Sequence, residues 1–271
     1  MATQAVRPPA VAGLFYPSDS QTLTAQVQAL LAHALPPTGL PVPKALIVPH
    51  AGYIYSGPIA ASAYAQLAPL RSVIRRVILL GPSHRVSFEG MALPGCSAFA
   101  TPLGNLELDS DAVFMIAQHP GVVFDDRAHA QEHALEVQLP FLQATLESFC
   151  ILPITLGQVS PTLVAEVLET VWGGPETLIL VSSDLSHYTP YSAAQRDDRI
   201  CLDQILGLDQ PLSHEQACGA TGINALMLTA RRHDLVPTLL DLRNSGDTAG
   251  DRSRVVGYAA VSFAPAQHRT H

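Results

Sequence analysis

The sequence predicts an α/β fold in which a central, largely parallel or mixed sheet carries helices on both faces. Three observations predict it: short apolar runs recur along the chain, helical stretches separate them, and 48% of the 271 residues are hydrophobic. Strands that are buried on both faces read as continuous apolar runs rather than alternating ones. Strands that alternate with helices need crossover connections, which place the strands parallel and cover both faces of the sheet.

Five apolar runs are predicted as strands, at 46–48, 77–80, 151–156, 178–181 and 255–263. Five stretches are predicted as helices, at 21–34, 58–67, 132–146, 161–171 and 223–229. Asp19 or Ser20 can cap the first helix, since short polar side chains accept the free N–H groups of a first turn. Pro140 lies inside the third helix and is expected to kink it. No long polar linker divides the chain, so residues 1–271 are predicted to form a single domain.

Charge and composition exclude several classes of function. The net charge is −8 at pH 7 with 15 Lys and Arg residues, which argues against nucleic acid or an anionic membrane as the main partner. No run approaches the ~18 apolar residues of a membrane span. The first nine residues lack the apolar region of a signal peptide, and the four cysteines form no Cys-x-x-Cys pair. We therefore expect a cytoplasmic protein with reduced thiols.

Three predicted strands are followed by similar polar segments. The first runs into His50, the second into His84, and the fourth into a segment that contains Asp184 and His187. Ligands of open α/β sheets bind in the crevice beyond the carboxyl ends of the strands. Parallel strands would therefore bring these four side chains to one edge of the sheet.

Histidines at two strand ends indicate a metal site, because neutral imidazole is the commonest metal ligand in proteins. A third protein ligand with open positions beside it would give a redox or Lewis-acid centre. The alternative is that each histidine only binds the backbone of its own loop. His187 is a candidate general base, since the pKa of an unperturbed imidazole lies near neutrality. Asp184 is a candidate for orienting a histidine ring, or else caps the turn after its strand.

Two further segments carry candidate residues. His133 and Glu136 are three positions apart, so that on the predicted helix they would share a face and could reach one site, or else form a solvated polar face. Cys218 precedes a predicted helix, where a thiol has a lowered pKa and is a candidate ligand or redox group, or else is a small buried residue. The remaining histidines are expected in loops or on the surface, at positions 33, 119, 129, 214, 233, 268 and 271.

Taken together, these motifs resemble those of a known family. The segments that carry the resemblance are GLFYP at 13–17, PHAGY at 49–53, YSG at 55–57, GPSH at 81–84, TPLG at 101–104, EHALE at 132–136, QLP at 138–140, SSDLSHY at 182–188 and CG at 218–219. These motifs and their order resemble those of the Memo family over about residues 7 to 263. In prokaryotes its members are called AmmeMemoRadiSam system protein B.

The resemblance implies a fold similar to that of the class III extradiol dioxygenases, which are non-haem iron enzymes. It implies a metal bound by His50, His84 and Cys218, with iron favoured and copper or zinc as alternatives. His187 matches the catalytic histidine of the dioxygenases, while His133, Glu136 and Asp184 fall in motifs that line the same pocket.

Three functions follow as expectations. The first is a mononuclear metal-dependent redox protein that acts on O₂ or a small molecule, and the second is a zinc-dependent hydrolase in which His187 or Glu136 assists a water molecule. The third is a binding protein without catalysis. The family name also implies association with a radical-SAM enzyme and an AMMECR-type protein.

Overall fold

The structure is a computed structural model, which describes residues 5–35, 37, 39–209 and 211–266. The strands within this part are β1 (Val6–Arg7), β2 (Ala45–Val48), β3 (Arg76–Pro82), β4 (Met91–Leu93), β5 (Ala98–Thr101), β6 (Gly104–Glu107), β7 (Val122–Phe124), β8 (Cys150–Leu156), β9 (Thr177–Ser182), β10 (His187–Thr189), β11 (Leu235–Asn244) and β12 (Val255–Pro265). The α-helices are α1 (Ser20–His33), α2 (Tyr53–Tyr64), α3 (Ser110–Ile116), α4 (Asp126–Ala130), α5 (Leu139–Thr145), α6 (Pro161–Thr170), α7 (Tyr191–Gly207) and α8 (Ala220–Arg232). Short 3₁₀ turns lie at Ala65–Leu70, Glu136–Gln138 and Ser245–Asp247.

The central sheet is mixed, as the sequence predicts. Its strands follow the order β10-β12-β2-β9-β3-β8-β4-β7, and β11 pairs with β12. The middle of the sheet is parallel, since β9 pairs in parallel with both β2 and β3, and β3 with β8. Antiparallel pairs join this middle to the flanks, where β12 pairs with β2 and β4 pairs with β8, and the last strand, β7, pairs in parallel with β4. Strands β1, β5 and β6 form a separate small sheet.

Both faces of the central sheet are buried, which explains the continuous apolar runs. Side chains of a strand point alternately to opposite faces. Ile47 therefore packs in the layer beneath α6, α7 and α8, while its neighbours Leu46 and Val48 pack in the layer beneath α1, α2 and α5. No helix in the described part of the chain is both long and apolar enough to cross a bilayer.

The helix predicted over 132–146 is confirmed over Leu139–Thr145 and is wrong over its first half. A turn runs from α4 to the 3₁₀ turn Glu136–Gln138, and α5 begins only at Leu139. Two causes are visible: Pro140 lies in the first turn of α5, where no backbone N–H is needed, and the Glu132 carboxylate accepts the backbone N–H groups of His133 and Ala134. His133 and Glu136 therefore do not share the face of a helix.

The carboxylate of Glu136 joins this turn to the N-terminal segment. It is fully buried and accepts from Arg7 Nη1 at 2.7 Å and from the Tyr16 hydroxyl at 2.6 Å. The backbone N–H groups of Ala10 and Val11 donate to the same carboxylate, at 2.7 and 2.9 Å. A buried carboxylate that accepts four hydrogen bonds is satisfied, and it has no lone pair left for another ligand.

Arg7 extends the connection with its other nitrogens. Its Nε donates to the carbonyl of His129 at 2.7 Å, and its Nη2 donates to the carbonyl of Glu132 at 2.6 Å. The guanidinium thus fixes the backbone on both sides of the turn that carries His133. We call this set of contacts, made by Arg7 and Glu136, the Arg7–Glu136 clasp.

Replacing Glu136 by glutamine should lower the free energy of unfolding by about 3 kcal/mol, because one partner of a buried ion pair is left uncompensated. Urea denaturation followed by circular dichroism measures the change. The matched control is Glu147→Gln, whose ion pair with Arg71 is more than half exposed on both sides. Exposed pairs contribute up to about 1 kcal/mol, so equal losses in the two variants would contradict a stabilising role for the clasp.

Candidate metal centre

The carboxyl ends of three adjacent parallel strands meet at one edge of the central sheet. His50 lies two residues after β2, His84 two residues after β3, and Asp184 two residues after β9. Strand β9 lies between the other two in the sheet. The structure therefore confirms the prediction that the polar segments after these strands lie at one edge of the sheet.

Three histidines form a cluster at this edge. Each of His50, His84 and His133 offers a ring nitrogen that lies within 4.8 Å of the other two. The ring centroids are 5.1 Å apart for His50 and His84, 5.3 Å for His50 and His133, and 4.7 Å for His84 and His133. His50 is buried, whereas the side chains of His133 and His84 are 13% and 28% exposed. The cluster is thus fixed at one side and open at the other.

Glu132 holds two members of the cluster. Its carboxylate accepts from His84 Nδ1 at 2.9 Å and from the His84 backbone N–H at 2.6 Å, and it also accepts the backbone N–H of His133 at 2.8 Å. Burial raises the pKa of this carboxyl, but the hydrogen bonds and charge of His84 outweigh burial and bring the pKa to about 2. The sequence analysis did not identify Glu132 as a residue of the site. Its position directly before His133 was the signal that could have indicated it.

His50 is held by the strand beside it. Its backbone N–H donates to Asp184 Oδ1 at 2.8 Å, and its ring Nδ1 lies 2.9 Å from Ser182 Oγ. Burial, with the nearby charge of His84, lowers the pKa of His50 to about 3, and burial with the charge of His50 lowers that of His133 to about 4. Both rings are therefore neutral at pH 7, the form that binds metals.

Cys218 lies against His50. Its Sγ is 3.2 Å from His50 Nε2 and accepts the backbone N–H of Asp184 at 3.3 Å. A nitrogen and a sulfur that bind one ion at 2.0–2.1 and 2.3 Å are about 3.1 to 3.6 Å apart, so this pair has the spacing of two ligands. Cys218 is nevertheless not one of the three side chains that lie within 4.8 Å of one another.

The predicted lowering of the Cys218 pKa is wrong for the metal-free protein. Burial, together with the nearby Asp184 carboxylate, raises the pKa of the thiol to about 12. Helix α8 begins at Ala220, three residues before the start predicted from the sequence. The backbone N–H of Gly219 lowers the pKa of the thiol, but this contribution is smaller than the effect of burial.

Asp184 and His187 lie in different environments. Asp184 is buried and accepts the backbone N–H of His50 rather than a ring N–H, and burial raises its pKa. His187 is exposed, because it stands in β10 at the border of the sheet. Both line a cavity of about 650 Å³ that also contains the three clustered histidines. Aromatic side chains share its wall, namely Phe15, Tyr55, Tyr188 and Tyr258.

A second cavity, of about 710 Å³, opens beside the cluster. His84 and Cys218 line it together with His214 and Thr221. His84 thus borders both cavities, while His187 borders one and Cys218 the other. Side chains at this edge are reachable from two directions.

Two expectations about other residues do not hold in this geometry. The structure does not bring Glu136 into the cluster, because its carboxylate belongs to the Arg7–Glu136 clasp. His129 is not a surface residue: it is buried, with Nε2 2.9 Å from the Ala92 carbonyl and Nδ1 3.2 Å from Thr155 Oγ1. The expectations for His268 and His271 lie outside the described residues.

The residues present fit a metal ion. Neutral imidazoles and thiolates are the donors that late first-row metals and iron prefer, and an ion that bound Cys218 would displace the proton of its thiol. His133 Nδ1 is buried and has no hydrogen-bond partner among the described residues, although Glu132 Oε1 lies 3.3 Å away outside hydrogen-bond geometry. A ring nitrogen in that state is available to an ion.

Comparison with known proteins identifies the family. The model of the Memo family, described as Memo-like protein, matches residues 7–262. Proteins named MEMO1 family protein from Ignicoccus hospitalis, Sulfolobus acidocaldarius and Pyrobaculum arsenaticum are 37%, 35% and 36% identical to this chain. The alignments cover 95% of this chain in each case, and 98%, 99% and 99% of the three relatives. With this extent of similarity and the matching family model, the chain belongs to the Memo family.

Proposed function

We propose that this protein is a mononuclear metal-dependent redox protein with iron as its metal and a small molecule or O₂ as its substrate. The observation that supports the proposal is a three-histidine cluster that opens onto a cavity of about 650 Å³. Ligand cavities of this size accommodate small organic molecules. A cluster that is open on one side leaves room for a substrate beside the protein ligands.

The proposed ligands are His50, His84 and Cys218. His50 Nε2 and Cys218 Sγ have the spacing of two ligands of one ion, and His84 is fixed by Glu132. His133 competes with Cys218 for the third place, since it belongs to the cluster. In the ligand set that we favour, His133 lines the cavity and contacts the substrate.

A nitrogen and sulfur ligand set suits iron and copper, with zinc as a further option. Such a metal, when bound, supplies one-electron redox chemistry that the side chains themselves lack. Zinc would instead favour hydrolysis, with a side chain that activates water. Glu136 does not serve as that base, because its carboxylate already accepts four hydrogen bonds.

His187 is the proposed proton carrier. It lies in the same cavity as the cluster and is exposed, so its ring can exchange protons with water and with a bound molecule. Asp184 has a positioning role, because it fixes the backbone of His50 and therefore the start of the loop that follows β2.

The cytoplasmic location is proposed from the cysteine pattern of the sequence. Association with a radical-SAM enzyme and an AMMECR-type protein is proposed from the family resemblance. Nucleic acid and membranes are not proposed as partners, given the net charge of −8.

Metal analysis of protein purified without oxygen tests the proposal. We expect about one equivalent of iron per chain, and O₂ consumption by the metal-loaded protein that His50→Ala abolishes. Zinc alone would favour hydrolysis. Bound iron without O₂ consumption or turnover would favour a binding protein without catalysis.

The ligand set can be tested with two single variants. Cys218→Ala should lower metal affinity at least tenfold while the chain stays folded, because Cys218 lies at the sheet edge rather than in either apolar layer. His133→Ala should retain most of the metal. Metal content per chain, together with the thermal unfolding midpoint, measures both effects. Full occupancy in Cys218→Ala with loss in His133→Ala would establish the three-histidine set instead.

His187→Ala should keep the metal and lose turnover, because His187 is proposed to move protons rather than to bind the ion. Metal content and O₂ consumption are measured on the same preparation. The matched control is His33→Ala, an exposed histidine at the end of α1 that does not line the cavity of the cluster. If His187→Ala loses as much metal as His84→Ala, the assigned roles are wrong.

A further inference from the structure

The hydroxyl of Ser182, at the end of β9, lies beside Nδ1 of His50. Ser182 is fully buried, and its Oγ contacts three polar atoms. These are the carbonyl of Ala134 at 2.6 Å, Nε2 of Gln138 at 2.8 Å and Nδ1 of His50 at 2.9 Å. The direction of each hydrogen bond can be worked out from what each partner is able to donate or accept.

The orientation of Gln138 is fixed by its other contacts. Its Nε2 lies 3.0 Å from the carbonyl of Pro49, which can only accept, so the nitrogen end of the amide must point there. Its Oε1 accepts from the hydroxyl of Tyr64 at 2.7 Å. The second hydrogen of Nε2 therefore points to Ser182, and Gln138 donates to the hydroxyl oxygen.

A serine hydroxyl has one hydrogen to donate. The carbonyl of Ala134 can only accept, so the hydrogen of Ser182 points to it. Toward His50 the hydroxyl then presents only a lone pair. If Nδ1 also carried a lone pair, two acceptors would face each other in a buried place without a hydrogen between them, which is unfavourable. Nδ1 of His50 must therefore carry the proton.

We infer that Ser182 is a positioning residue that keeps the His50 proton on Nδ1 and thereby presents the Nε2 lone pair toward Cys218, where the metal would bind. This inference rests on the proposed function, since it assigns a role at the same centre. Neither Ser182 nor Gln138 stood out in the sequence as a site residue. The role complements that of Glu132, which accepts from Nδ1 of His84. One ring is held by a neutral hydroxyl and the other by a carboxylate, and both present Nε2.

The wild-type protein gives the first test and needs no substitution. Metal-free protein labelled with ¹⁵N-histidine is examined at pH 7 by long-range ¹H–¹⁵N correlation, and the spectrum of His50→Ala assigns the His50 signals. We expect the pattern of a neutral ring with its proton on Nδ1. A ring that is protonated on Nε2, or an equal mixture of both forms, would overturn the inference.

Variants give the second test. Ser182→Ala should shift the His50 proton toward Nε2, because Nδ1 loses the hydroxyl that accepts from it, and should weaken Zn²⁺ binding about 10- to 100-fold, as is usual when a residue that orients a ligand is removed. Ser182→Thr keeps the hydroxyl and should restore both properties. The matched control is Ser262→Ala, which removes another buried hydroxyl from β12 of the same sheet and should change neither.

The outcomes separate this inference from the proposed function. Zn²⁺ affinity is measured against a competing chelator, without reference to activity. If the wild type binds Zn²⁺ and Ser182→Ala equals it in affinity and in ring protonation, the positioning role is wrong and the metal centre stands. If the wild type binds neither iron nor Zn²⁺, the proposed function fails, while the ¹⁵N spectrum still decides where the proton lies.

Discussion

The parallel pairing of β2, β9 and β3 is the constraint on which the candidate centre depends. Val48 is paired with Ser182, and Leu80 is paired with Val181, so the three strands end at nearly the same level. Because side chains alternate between faces, a slip of one residue would turn each strand over and carry the polar segment that follows it to the opposite side. The apolar side chains of both layers hold this register. The packing of the core therefore also determines the position of His50.

The third histidine reaches the cluster from outside the sheet and is held by different forces. His133 lies in a turn that Glu132 and the Arg7–Glu136 clasp fix from two sides. The N-terminal segment also packs on the ring itself, since the centroids of Phe15 and His133 are 4.8 Å apart. A segment remote in sequence thus contributes to the position of one wall of the cavity.

What the sequence could predict was set by the range of each interaction. The strand ends were predictable because an apolar run followed by His50 or His84 is a local pattern with a known topological consequence. The role of Glu136 was not predictable, because its partner Arg7 lies 129 positions away in the sequence. Nothing in the sequence near either residue indicates the other. The prediction of a lowered pKa for Cys218 failed for the same reason. The position of Cys218 before a helix can be read locally, whereas its burial against His50 and Asp184 arises from the tertiary fold. Ser182 was hidden because its three contacts come from two segments remote from it in sequence, residues 134–138 and the loop that holds His50.

The arrangement of the two cavities adds a final constraint on how such a centre can work. His187 and the aromatic side chains border one cavity, and Cys218 borders the other. The linings of the two cavities have His84 and Arg85 in common. His84 is therefore the candidate ligand that a molecule in either cavity can contact. Cys218 lies within ligand distance of His50, so the sulfur connects the second cavity to the buried side of the cluster.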